Sequence, residues 1–187
     1  MPQSFASFPK ERADRMRTPA LLAERGFSLR ALVDDDLPWL RDVYASTRQE
    51  EMVAVPWPAA AKRAFLDQQF ALQHAHYLQH YADTDFLAIE RIDARGRAQP
   101  VGRYYLQRVA PDHLIVDIAL LPELRGQGVG RLLIEASQRD AHALGRGMHL
   151  HVLQHNRAAR RLYERLGFVL THAAGSYDHM RWGAASS

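Results

Sequence analysis

The sequence contains no cysteine. That absence excludes disulfides, cysteine-bound zinc and thiol nucleophiles, so any chemistry must use other side chains. Long apolar runs are also absent: none approaches the roughly 20 residues of a membrane-spanning helix, and residues 1–26 lack the apolar centre of a secretory signal. With 187 residues, 47% of them hydrophobic, the chain is predicted to form one domain in the cytoplasm.

Lysine is scarce as well. Only Lys10 and Lys62 are lysines among the 24 basic residues, and the others are arginines, whose guanidinium groups suit bidentate phosphate contacts. A biased genomic composition explains this equally well. Because the formal net charge is +3 and the 21 acidic residues are interspersed with the basic ones, the pattern argues against a nucleic-acid partner.

Hydrophobic periodicity predicts the order β α α β β β α β α β β. Strand-like alternation begins at Phe27, and a helix with acidic N-caps follows at residues 34–36. A helix is predicted after Pro58, and another from Val129 to near Gly145. This order indicates an α+β domain over residues 27–183, with a mixed, mostly antiparallel sheet of about seven strands between helices on both faces. Residues 1–26 are interpreted as a tail or a short packed arm, and residues 184–187 as a tail.

Three glycines alternate in LPELRGQGVGRLLIEA, residues 121–136, just before an amphipathic helix. Amides at a helix start lack helical partners and bind anions, and glycine lets a phosphate approach the backbone. A Walker loop would need Lys-Ser or Lys-Thr where Arg131 and Leu132 stand, and a dinucleotide loop would need GxGxxG. Both are excluded, and a pyrophosphate fits the loop.

The segment RGQGVG, Arg125 to Gly130, matches the signature of the acetyl-CoA loop of the GNAT superfamily: Gln or Arg, two residues, Gly, one residue, then Gly or Ala. NRAARRLYERLGF, residues 156–168, resembles the second motif of that family. The sequence is therefore similar to GNAT N-acyltransferases over roughly residues 114–169. The resemblance implies a GNAT fold and acetyl-CoA as co-substrate.

The resemblance also implies which residues bind the co-substrate. The strand ending in DIALL is expected to splay from MHLHVLQ and to run beside the pantetheine, with an amide near Leu120 polarising the acetyl carbonyl. Asn156 is expected to cap the last long helix and to touch CoA, and Arg160 is a candidate partner for the phosphates. The remaining expected contacts are Ile118, Ala119, Arg125, Gly126, Gln127, Gly128, Val129, Gly130 and Arg131.

Catalytic candidates follow from the same comparison and from isolated charges. Tyr163 occupies the position of the family's tyrosine, which protonates the departing thiolate, although an apolar helix face would also explain it. Asp117 is a lone carboxylate in LIVDIALL, so it is either paired with a buried partner or functional. Glu51 and Glu50 are the other candidate bases for the amine.

Ten histidines raise the question of a metal. His149 and His151 share a strand face, and His76 and His80 share a helix face. Isolated pairs without HExxH or a clustered carboxylate are weak motifs, and the resemblance implies a reaction that needs no metal. We therefore expect none.

The resulting hypothesis is an N-acetyltransferase that moves an acetyl group from acetyl-CoA directly to an amine in a ternary complex. Residues 34–81 are expected to shape the pocket for a small-molecule or peptide amine. The alternatives are a catalytically silent CoA sensor or scaffold, and an acyltransferase with another acyl chain or acceptor. No nucleic-acid or membrane partner is expected, and the chain is expected to be a monomer or homodimer.

Overall fold

Seven strands form one sheet in a computed structural model that describes residues 6–183. The strands are β1 Phe27–Ala31, β2 Thr84–Ile92, β3 Ala98–Gln107, β4 Asp112–Leu120, β5 Gly147–Leu153, β6 Val169–Ala174 and β7 Tyr177–Trp182. The helices are α1 Ala20–Ala23, α2 Leu37–Thr47, α3 Gln49–Val53, α4 Ala59–His80, α5 Val129–Ala143 and α6 Arg157–Arg165. The predicted α+β class is confirmed; α1 and α3, each a short turn of helix, were not predicted.

The strand order is β1-β2-β3-β4-β5-β7-β6, and every neighbouring pair is antiparallel except β4 and β5. Short connections join β2, β3 and β4, which allows antiparallel pairing, whereas the parallel step from β4 to β5 crosses through α5. The predicted meander and mixed sheet are therefore present. No helix in the described part of the chain is both long and apolar enough to cross a membrane.

Helices cover both faces of the sheet, as predicted. On one face the side chains of Leu133 in α5 and Tyr163 in α6 join a core with Met148 of β5. On the other face Leu40 of α2 and Phe70 of α4 pack over the sheet. This second core covers β2, β3 and part of β4, so the amphipathic faces of the long helices account for the three layers.

The N-terminal residues pack against this domain. Met16 and Leu22 are 4% and 0% exposed and belong to the first core. The amide of Met16 donates to Asp85 Oδ2 at 2.9 Å, and the amide of Leu29 on edge strand β1 donates to Thr18 Oγ1 at 2.9 Å. Residues 6–26 are thus a packed arm that continues the core across the boundary expected at residue 27. Residues 1–5 and the predicted tail at 184–187 lie outside the described residues.

Of the acidic N-caps predicted at residues 34–36, Asp36 occupies the N-cap position of α2, but its side chain makes no cap hydrogen bond to that helix. These residues form a 3-10 turn, and no side chain caps α2. Asp36 instead accepts from Arg30 Nη1 at 2.7 Å and from Trp39 Nε1 at 2.8 Å. Asp36 is 5% exposed, so its carboxylate must be compensated, and the ion pair with Arg30 in β1 supplies that compensation.

Candidate functional site

The sheet opens between β4 and β5. The two strands pair only over Asp112–Ile115 and Gly147–Leu150, although β4 continues to Leu120. The β3–β4 register shifts at the same point, because Ile115 pairs with Leu106 while Asp117 pairs with Tyr105. Such a bulge bends the strand locally. The second half of β4 therefore leaves its parallel neighbour, which is the splay expected from the resemblance.

The edge of β4 presents backbone groups to this opening. The amide of Leu121 donates to Val101 O at 2.9 Å, and successive strand residues point their amides to opposite sides. The amide of Leu120 therefore faces away from β3. The carbonyl of Leu120 does so too, since it accepts from Arg125 Nε at 2.9 Å instead of from β3. Ile118 has the same orientation by the two-residue repeat.

The glycine loop lies between β4 and α5. Gly126 and Gly128 have φ values of 72° and 81°, a left-handed conformation that strongly favours glycine. Gly128 is the N-cap of α5 and provides no side-chain cap. The amides of the first turn of α5 therefore lack side-chain partners, and the positive end of the helix dipole adds to their attraction for anions.

Two arginines fasten this loop to distant segments. Arg25, at the end of the arm, donates from Nη2 to Gln127 O at 2.8 Å. Arg125 contacts the Leu120 carbonyl and also donates from Nη2 to Ser46 Oγ of α2 at 3.1 Å. Sequence reasoning missed Arg25, because nothing near it in the chain distinguishes it from the other arginines.

Tyr163 lies in α6 with 7% of its surface exposed. Its ring packs edge-to-face on Phe168, with 5.9 Å between centroids. Burial and, to a smaller extent, the charge of Asp117 raise the pKa of Tyr163 above the ordinary value for a phenol. Among residues 6–183 its hydroxyl has no hydrogen-bond partner. The side chain is thus a core residue whose hydroxyl forms no hydrogen bond in the described part of the chain, and its role as an acid stays a prediction.

Asp117 has the buried partner that was one of its two interpretations. Its Oδ2 lies 2.6 Å from Arg103 Nη2, and the side chains are 18% and 3% exposed. Arg103 also donates to Gln73 Oε1 of α4 at 2.8 Å. Burial, with a smaller contribution from Asp117, raises the pKa of Tyr77 beside this pair. The ion pair with Arg103 offsets much of the free-energy cost of burying the Asp117 carboxylate, and Asp117 stays a candidate base.

Glu51 lies in α3 on the other side of the opening. Its carboxylate is 2.5 Å from Arg48 Nη2 and 3.8 Å from Nε2 of His155, the residue before Asn156. The acidic side chain therefore links α3 to the connection between β5 and α6. Glu50, its neighbour, is exposed.

The predicted cap of α6 by Asn156 is confirmed, whereas Arg160, the predicted partner for a phosphate, already has carboxylate partners. Asn156 Oδ1 accepts from Ala159 N at 3.1 Å and caps the helix as predicted. Arg160 is ion-paired with Glu164 and Asp178, so a phosphate contact would have to replace carboxylate partners. Contacts of the predicted residues with CoA stay predictions.

Histidines cluster on the outer strands. His151 lies next to His179 of β7, with 4.0 Å between ring centroids, and His179 lies 4.1 Å from His172 of β6. His149 is 6.1 Å from His151. Residues 6–183 contain no group of three or more histidine or acidic side chains arranged to hold a metal. The cluster arises from strand pairing, so the sequence alone did not reveal it.

Comparison with known proteins agrees with this geometry. Residues 83–170 match the family model described as an acetyltransferase (GNAT) domain. This match identifies a GNAT acetyltransferase domain within the chain. The matched residues run from β2 to the start of β6 and include the opening, the glycine loop and Tyr163.

Individual relatives of this chain are distant. An uncharacterized N-acetyltransferase of Bacillus subtilis is 38% identical over 67 residues, which is 33% of this chain and 43% of that protein. The chain therefore matches less than half the length of this curated relative. Among solved structures, the PaiA N-acetyltransferase of Thermoplasma acidophilum in complex with coenzyme A has a TM-score of 0.61 at 18% identity, covering 84% of this chain and 99% of its own.

A second solved structure similar to this chain is a spermidine N-acetyltransferase of Vibrio cholerae in complex with CoA and spermine. It has a TM-score of 0.52 at 23% identity and covers 83% of this chain and 93% of its own. At these identities the likeness to solved structures shows the shared fold.

Proposed function

We propose that this protein transfers an acetyl group from acetyl-CoA directly to an amine acceptor within a ternary complex. One observation carries the proposal: β4 separates from β5 on its way to the glycine loop, and Asp117 on this separated half of β4 is near enough to Tyr163 for its charge to raise the pKa of that phenol. An elongated donor bound along β4 would thus have its phosphates at the loop and its acyl group near groups that transfer protons.

Binding of the donor rests on backbone groups of this chain. The amides from Arg125 to Gly130 surround the start of α5, and Arg131 is exposed there beside Glu135. The amide of Leu120 faces the opening and would donate to the acetyl carbonyl, a contact that strengthens as negative charge develops on that oxygen. Ile118 and Ala119 would flank the pantetheine. Solved relatives with CoA bound support a CoA-type co-substrate.

The chemical step needs a base and an acid. A carboxylate takes a proton from the acceptor ammonium, because only the neutral amine has a lone pair. The amine nitrogen then bonds to the acetyl carbon, the carbon–sulfur bond breaks, and Tyr163 donates its proton to the leaving thiolate. The surplus proton on the new amide nitrogen is then lost and restores the Tyr163 phenol. Transfer is direct, since the chain offers no cysteine for an acyl-enzyme.

Asp117 and Glu51 are the two candidate bases. The charge of Asp117 raises the pKa of Tyr163, but Asp117 itself is ion-paired with Arg103. Glu51 is held by the more exposed Arg48 and faces His155. The proposed amine acceptor is supported by a solved relative that contains spermine, and a small amine is the proposed substrate.

The test is initial-rate kinetics on the full chain with acetyl-CoA and a panel of small amines and peptides, following release of the CoA thiol. We expect turnover with at least one amine and intersecting double-reciprocal lines, which a ternary complex produces. Parallel lines would contradict direct transfer. CoA binding by calorimetry without turnover would favour the silent sensor, and faster reaction with longer acyl donors or hydroxyl acceptors would favour the other acyltransferase class.

A further inference from the structure

A cavity of about 400 Å³ lies between the packed arm and α5. Its charged lining is dominated by arginine, since the only carboxylate is that of Asp140. The lining residues are Arg15, Met16, Arg17, Pro19, Ala20, Arg108, Ala136, Arg139 and Asp140. Arg139 follows the first residue of α5 by ten positions, which places it roughly 15 Å along the helix from the glycine loop. The cavity is therefore separate from the proposed acetyl-CoA site.

Two of the arginines are held in place on the inner side. Arg15 and Arg108 have side chains that are 13% and 19% exposed. Arg15 pairs with Glu11, and Arg108 Nε lies 2.7 Å from Oδ2 of the buried Asp85. Asp85 also accepts from the amide of Met16. This network orders the guanidinium groups before any ligand arrives, which lowers the entropy cost of binding.

The other two arginines lack carboxylate partners. Arg17 donates from Nη2 to Ala13 O at 3.0 Å, its only hydrogen bond within the described part of the chain. Arg139 has no hydrogen bond or ion pair with any of residues 6–183 and is exposed. Four guanidinium groups thus line one cavity with a single carboxylate, that of Asp140, and Arg17 and Arg139 form no ion pair in the described part of the chain. An anion bound there would stabilise these charges.

We propose that this cavity binds a small anion that carries two or more phosphate groups. Guanidinium groups bind phosphate oxygens in bidentate geometry, and a ligand with two phosphates can contact the inner pair and the outer pair together. The volume lies within the range of about 300–1,000 Å³ usual for small-molecule sites. Because the arm supplies Arg15 and Arg17 and α5 supplies Arg139, the ligand bridges the arm to the domain.

Inorganic pyrophosphate is the probe, measured by isothermal titration calorimetry on the full chain at fixed ionic strength. The double variant Arg17→Gln/Arg139→Gln is expected to weaken binding at least tenfold, because it removes two of the charge-assisted contacts to the phosphate oxygens. The matched control is Arg91→Gln/Arg95→Gln, which removes the same charge from exposed positions in and after β2 and should bind like wild type.

Competition separates this cavity from the glycine loop. Binding of pyrophosphate at this cavity is expected to persist in Gly128→Val and in protein saturated with CoA, because both block only the glycine loop. Complete loss of pyrophosphate binding under either condition would place all of it at the loop and overturn the proposal. So would an absence of binding, or equal losses in the Arg17/Arg139 variant and its control. None of these outcomes depends on acetyl transfer.

Discussion

At the scale of single residues, the candidate site depends on how burial changes the pKa values of its titratable side chains. Tyr163 is almost fully buried beside Asp117, and the environment raises the pKa of its phenol. A high pKa keeps the proton on oxygen at neutral pH, which a donor to a thiolate requires. Asp117 is held by Arg103 at 2.6 Å, so its position is defined before any substrate binds.

The substitution Tyr163→Phe tests the proposed acid. It removes only the hydroxyl, which has no hydrogen-bond partner among the described residues, so folding and CoA affinity should be unchanged. We expect kcat to fall roughly 10²–10³-fold, in the range typical of lost general-acid catalysis. Kinetics and calorimetry on the same preparation check this, with Tyr81→Phe at the end of α4 as control. Unchanged kcat would remove Tyr163 from the mechanism.

His113 predicts acid sensitivity at the closed end of the β4–β5 pair. It is fully buried, its Nδ1 has no hydrogen-bond partner in the described chain, and burial, then Arg146 and Arg108, lower its pKa to about 4. The unfolded chain therefore binds the proton more readily between pH 6.5 and 4. Its contribution to stability is complete above pH 6.5 and is lost as the pH falls, by up to about 1.4 kcal/mol per pH unit.

Urea unfolding of wild type and His113→Asn at several pH values between 7 and 5 measures how much His113 contributes to the pH dependence of the free energy of unfolding. The variant should lose less free energy of unfolding per pH unit than wild type, whatever its stability at pH 7. His74, His149 and His151, whose pKa values burial also lowers, remain in both proteins and cancel in the comparison. Identical slopes would show that His113 does not titrate in this window.

At the scale of elements, the site is the meeting of a strand edge and a helix start. The splayed half of β4 turns the Leu120 amide into the opening, and the loop turns the first amides of α5 toward the same side. Two left-handed glycines make this path possible. Arg25 and Arg125 then tie the loop to the arm and to α2, so its shape depends on three separate segments.

The substitution Gly128→Val tests the loop. A β-branched residue at φ 81° is strained by about 1–2 kcal/mol, and its Cβ would lie 3.3 Å from Arg25 Nη1. We expect CoA affinity to fall at least tenfold while the protein stays folded. Gly96→Val is the matched control, since Gly96 also has a positive φ, of 75°, but has open space around it in the β2–β3 turn. Equal CoA affinity in both variants would contradict the anion-binding role of the loop.

At the scale of the whole molecule, the arm packs as part of the domain and contacts the glycine loop of the candidate site. Met16 and Leu22 complete the core on the side of α5, Thr18 protects an amide on the edge of β1, and Arg25 binds the glycine loop. The same arm forms one wall of the arginine-lined cavity. Residues far ahead of the matched GNAT segment thus support both proposed sites.

Leu22→Ala measures how strongly the arm stabilises the molecule. Leu22 is fully buried, so truncation to alanine should cost about 2–5 kcal/mol and lower the melting temperature. Leu21→Ala is the matched control, because the Leu21 side chain is 50% exposed. This substitution should change the free energy of unfolding by no more than about 0.5 kcal/mol. Equal effects in thermal and urea unfolding would mean that the arm does not pack as described.

The sequence by itself determined the elements and the loop. Periodicity located the seven strands and the long helices, and the glycine spacing located the loop at the start of α5 and predicted an anion site there, because these signals are local and repeat over a few residues. The capping role of Asn156 was readable for the same reason. The capping roles of residues 34–36 were misjudged, because a buried ion pair with Arg30 outweighs the local preference for a cap.

Only the tertiary structure decided which distant residues meet. The register of β3 and β4 brings Asp117 to Arg103, and the pairing of β5 with β7 brings His151 to His179. Arg25 contacts Gln127, which lies 102 positions further along the chain. Such contacts depend on strand order and packing, which local patterns do not encode. The glycine loop was therefore visible in the sequence, whereas the partners that orient its surroundings, and the cavity beside the arm, required the fold.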